Sequence, residues 1–143
     1  MTKNALRYGL IAGVIVIILT LTGIFGTFEG RDVISGRLSL ALVALVIMTG
    51  APAFLVGMQN RASGLAVTLT GGVTASLIAG LGITLVVLLE TLVSRDSLIF
   101  VFQNYNLLIG SIVTFGYGGE QLIFPGLFLL LLFAAAVGAV AGV

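Results

Sequence analysis

The sequence predicts an all-α integral membrane protein: a bundle of four transmembrane helices with an interfacial or re-entrant segment between helices three and four. Three observations carry this expectation. The 143 residues are 59% hydrophobic and only 8% charged, where a soluble domain carries about 25% charged residues. The apolar residues gather in four stretches, about 8–28, 38–58, 64–90 and 122–143, each long enough to cross about 30 Å of hydrocarbon as a helix of about 20 residues. Only Glu90 brings a charge close to the interior of one of them. No Pro-, Ser- or charge-rich linker interrupts the chain, so residues 1–143 read as a single transmembrane domain.

Helix one follows Lys3 and Arg7, a flank like that of a signal peptide. Its apolar run exceeds the roughly 7–15 residues of a signal's hydrophobic region and no A-x-A-like site follows, which favours a retained helix over a cleaved signal. The polar turn Glu29-Gly30-Arg31-Asp32 closes it and leads through Ser35-Gly36-Arg37 to helix two. Pro52 inside helix two predicts a local bend near Ala51, tolerated where neighbours satisfy the freed carbonyl. The short turn Gln59-Asn60-Arg61 makes helices two and three antiparallel neighbours.

Helix three is rich in small residues, and Gly72, Ser76 and Gly80 recur every four positions on one face. Gly9 and Gly13 on helix one repeat the pattern, as do Ala134, Gly138 and Gly142 on helix four. Such faces let backbones approach closely in lipid. The two readings are packing within the chain and docking against another subunit. Between helices three and four, the segment at about 98–118 holds two short apolar runs. Nine helical residues reach only about 14 Å, enough to lie at the interface or dip partway, and Phe100, Phe102, Tyr105, Phe115 and Tyr117 suit the headgroup level. Pro125 falls in the first turn of helix four, where its missing N–H costs little.

Thr27–Asp32 echoes Thr91–Asp96, so the chain reads either as two helical hairpins in parallel orientation or as a chance likeness of two interfacial turns. The basic residues divide evenly between the two sides, Lys3, Arg7 and Arg61 against Arg31, Arg37 and Arg95. The positive-inside count is therefore tied, and the cationic flank of helix one points to an N-in, C-in topology.

The chemistry on offer is sparse. Cysteine and histidine are both absent, which excludes disulfides, thiol chemistry, cysteine-ligated clusters and the usual haem, zinc and copper ligand. No nucleophile stands beside a base and no phosphate-cradling loop opens a helix, so no enzyme, catalytic residue or metal site is expected. The net charge of +1 offers no broad face for nucleic acid. Glu90 is the one candidate for an intramembrane proton or ion site. The alternative is an interfacial position, solvated or paired with Arg95. Thr114-Phe115-Gly116-Tyr117-Gly118 is similar to the Thr-Val-Gly-Tyr-Gly filter of potassium channels, but Phe115 is large for its place, Val113 precedes Thr114 and Gly119 stands where an aspartate is usual. A glycine-rich interfacial turn accounts for the same residues.

Taken in order, the chain has a Gly-containing first helix, the turn Arg31-Asp32-Val33-Ile34-Ser35-Gly36, a second helix and a small-residue third. An aromatic loop then leads to Leu107-Leu108 and Thr114-Phe115-Gly116, before a Gly/Ala-rich last helix. This order resembles the N-terminal membrane region of bacterial branched-chain amino-acid ABC transporter permeases. Nothing matches the permease core, so the resemblance carries over no transport residue. It implies a helical module of a solute importer in the bacterial cytoplasmic membrane, with a permease core and an ATPase as partners. The alternative from another class is an accessory subunit of a redox or photosynthetic membrane complex. No cofactor is predicted, although lipid, quinone or carotenoid could line such a surface.

Overall fold

In a computed structural model the described residues are 3–22, 32–34, 38–92 and 123–143. Among them are four α-helices: α1 (Lys3–Leu21), α2 (Leu40–Asn60), α3 (Leu65–Leu92) and α4 (Ile123–Ala141). Three stretches among the described residues are long and apolar enough to cross a membrane, Leu42–Ser63, Leu65–Val86 and Phe124–Ala141. The protein is thus a helical protein of membrane character. The 98–118 segment, Arg95 and the channel-like string at 114–118 lie outside the described residues.

Two of the shifts from the expected helix boundaries have a visible physical reason. The first helix is described from Lys3 rather than Tyr8, because Lys, Ala, Leu and Arg are good helix formers and extend the helix backwards beyond the apolar run. Helix two begins at Leu40 because Leu38–Ser39 forms a strand, β2, paired antiparallel with β1 (Asp32–Ile34) through Asp32↔Ser39 and Ile34↔Leu38. Val33 and Ile34 are β-branched, which favours the extended backbone of β1. Two strands this short form a clasp between helices rather than a layer of the fold.

The hairpin of α2 and α3 turns through a single 3-10 turn, Arg61–Ser63, and Gly64 at φ 92°. That left-handed φ is open to glycine and strained for residues with a Cβ. The helices then pack in step. Thr49 stands eleven residues before the end of α2 and Ser76 eleven after the start of α3, and the Ser76 hydroxyl donates to the Thr49 carbonyl. α2 runs as one helix through Pro52, whose missing N–H frees the Met48 carbonyl. The Ser76 bond thus falls one residue from the disturbed turn, where a neighbouring hydroxyl is most useful.

α3 occupies the centre, touching α1, α2 and α4, while α1 and α4 flank the α2–α3 pair without a substantial contact of their own. Gly9 lies against Ala75 and Gly13 against Ala79, so α1 and α3 run parallel; Gly50 lies against Val137 and Gly57 against Gly142, so α2 and α4 do too. The result is an up-down-up-down bundle. Its interior changes character along the axis. Toward the α2–α3 turn it is built from Ala5, Val56, Ala75 and glycines; toward the other end it is a cluster of Val16, Leu45, Ile83, Val86, Leu127 and Leu130.

Candidate functional site

The helices of this bundle have little hydrophobic drive to associate, because lipid tails are as apolar as leucine. Close backbone contact and interhelical hydrogen bonds have to hold them, so the residues that permit close approach are the first candidates for function. α3 offers one such face to α4. A Cβ on Gly72 would sit 2.6 Å from the Gly138 carbonyl oxygen and 2.9 Å from the Gly142 Cα, and one on Gly138 would sit 2.7 Å from the Ser76 Cβ. One turn on, Gly80 meets the Ala134 Cβ at 3.1 Å. Gly72, Ser76 and Gly80 therefore lie against Gly142, Gly138 and Ala134 of the same chain.

A second face of α3, next to the first, meets α1. A Cβ on Gly9 would come within 2.9 Å of the Ala75 carbonyl oxygen and the Ile78 Cβ, while Gly13 faces Ile78 and Ala79 at 3.4 Å or more. Gly82 is tighter than Gly13, since its Cβ would lie 2.9 Å from the Gly13 carbonyl oxygen. Two further positions on α2 belong with these. Gly57 abuts the Gly142 backbone and Gly50 meets the Val137 side chain at 3.2 Å. Gly50, Gly57 and Gly82 carry no four-residue repeat, which is why the small-residue spacing alone misses them. The seven-residue step from Gly50 to Gly57, two helical turns on one face, is the signal that finds the α2 pair.

Polar side chains inside the bundle are largely tied to their own helices. Thr49 donates to the Leu45 carbonyl at 2.8 Å, Thr68 to Leu65 at 2.8 Å and Thr84 to Gly80 at 3.1 Å. This back-bonding is how hydroxyls are accommodated away from water. The Ser76–Thr49 bond differs because it crosses between helices, and Ser76 is fully buried. Asn60, 8% exposed at the end of α2, has a buried Nδ2 with no hydrogen-bond partner.

The charged candidates fall at the two ends. Glu90 sits one turn beyond Leu65–Val86, a stretch that by itself covers about 33 Å, more than a hydrocarbon core. Arg95, its candidate partner, lies outside the described residues. At the other end Lys3, Arg7 and Arg61 are exposed, and the Gln59 Nε2 donates to the Tyr8 hydroxyl at 2.6 Å, joining α1 to α2. No group of three or more metal-ligating side chains occurs among the described residues. What the arrangement can do is bind helices to one another and present two kinds of surface, an apolar belt and a basic rim. No protein-family model matches the chain, and neither a curated protein nor a solved structure shows significant similarity to it.

Proposed function

We propose that the chain is a non-catalytic multi-pass membrane module in which α1 joins the other three helices as a fourth span, and that it serves as a structural part of a solute-import permease assembly of the ABC-transporter type in a bacterial cytoplasmic membrane. The observation that carries this reading is the apolar belt around closely packed helices. Glycines, alanines and Ser76 let the helices approach, and large apolar side chains such as Ile11, Val14, Ile47, Leu81, Phe128 and Leu132 face outward on all four. That surface is compatible with lipid and with the apolar flank of another membrane subunit, and with little else.

The 19 residues of α1 extend about 28 Å, close to the hydrocarbon thickness, and its Gly9 and Gly13 set it beside the central helix. Support for the importer assignment is the order of elements from the glycine-containing first helix through the Arg31–Gly36 turn to the Gly/Ala-rich last helix. Isolation of the native complex in mild detergent tests it. A co-purifying ATPase with a phosphate-binding glycine loop is the expected result; cytochromes or pigment proteins in its place would overturn the importer reading in favour of an accessory subunit.

A further inference from the structure

We propose that the bundle end formed by the start of α1 and the α2–α3 turn is a headgroup site for an anionic phospholipid. The Tyr8–Gln59 hydrogen bond pins the second turn of α1 to the last turn of α2. Arg7 is the chain neighbour of Tyr8, and Arg61 follows Gln59 by two residues, so the bond holds both residues at one end of the bundle. Lys3 stands one helical turn before Arg7 on the same side of α1, and all three are exposed.

Among the described residues no acidic residue belongs to this end: Asp32 lies in β1, ahead of α2, and Glu90 falls near the end of α3, both at the other end of the bundle. The hydrogen-bond inventory points the same way. The Tyr8 oxygen accepts from Gln59, which leaves its own proton to donate. With the lysine and two arginines, the rim is an array of donors, and a phosphodiester presents only acceptors.

The surroundings select a lipid over a free anion. Leu6 and Leu10 of α1, Met58 of α2 and Leu65 of α3 are exposed within about a turn of the cations, providing an apolar track for acyl chains beneath a charged headgroup site. Gly64 leaves the tip open, since a Cβ there would meet nothing within 4 Å. This inference rests on the bilayer placement of the bundle and on no particular partner.

Native mass spectrometry of the purified full chain with added phosphatidylglycerol or phosphatidylcholine provides the test. Phosphatidylglycerol should be retained preferentially. Each cation at a membrane surface contributes about fivefold, so Arg7→Gln with Arg61→Gln should weaken retention by about 25-fold, and Arg7→Lys with Arg61→Lys should restore most of it. Equal retention of the two lipids, or undiminished phosphatidylglycerol binding by the glutamine variant with its fold intact by circular dichroism, would overturn the proposal. Displacement of the lipid by inorganic phosphate as readily as by phosphatidylglycerol would overturn the assignment to a lipid. A chain that stays monodisperse without detergent would instead remove the bilayer reading itself, which keeps the two failures distinct.

Discussion

The two halves of this bundle are held together by different means. Toward the α2–α3 turn, Gly57, Gly72, Gly138 and Gly142 bring main chains into direct contact. Toward the other end, Val16, Leu45, Ile83, Val86, Leu127 and Leu130 fill the space between helices with branched side chains. The difference matters because membrane helices gain little from merely hiding apolar surface. In the glycine half the gain is dispersion between closely packed backbones, which falls away when a gap of an ångström opens. In the leucine half the side chains can repack, and lipid is an acceptable substitute for a lost neighbour. The glycine half should therefore be brittle and the leucine half forgiving.

The sharpest way to break the comparison is Gly72→Leu, which drives a side chain into the Gly138 carbonyl and the Gly142 Cα. Overpacking a dense core costs about 1–3 kcal/mol and sometimes more. With backbone as the obstacle, a loss of about 3 kcal/mol or more is expected in reversible unfolding by SDS in mixed micelles. Leu130→Ala, at a fully buried position in the other half, should cost about 2 kcal/mol in the same titration, near the low end for water-soluble cores, because solvation of the unfolded helices in lipid removes much of the transfer term. A larger loss at Leu130 than at Gly72 would invert the proposed contrast.

Ser76→Ala removes a hydroxyl that bridges α2 and α3 near Pro52 while keeping the close approach. Interhelical hydrogen bonds of this kind are worth about 0.6 kcal/mol on average and about 1.7 at most. A thermal-unfolding shift matching a value in that range is expected; a loss equal to that of Gly72→Leu would mean that the polar bond, and not close packing, holds this half. The smallest effect belongs to Tyr8→Phe. It deletes an exposed hydrogen bond and should change stability by about 0.5 kcal/mol or less, readable as an unchanged far-ultraviolet melting curve.

Much of the packing logic was legible before any neighbour was known. A four-residue step sets Gly72, Ser76 and Gly80 on one helical face whatever surrounds them, because 3.6 residues per turn leaves no alternative. Their partner was not legible. The same stripe suits an internal helix or another subunit equally well, and only the three-dimensional arrangement sets it against Gly138 and Gly142. Gly50 and Gly57 escaped because Pro52 and bulky Phe54 interrupt the pattern between them. The clasp of Asp32–Ile34 with Leu38–Ser39 escaped because five strand residues are too few to show periodicity.

By itself, then, the order of residues determined that this chain is helical and oil-soluble, where its main helices run and which of their faces are narrow, since those properties depend on backbone hydrogen bonding and local spacing. The tertiary structure decided that α3 is the hub, that α1 and α4 stand apart, and that Lys3, Arg7 and Arg61 share a rim. These are relations between residues distant along the chain, and they are set by which backbones can approach most closely, a quantity that no single helix carries in its own sequence.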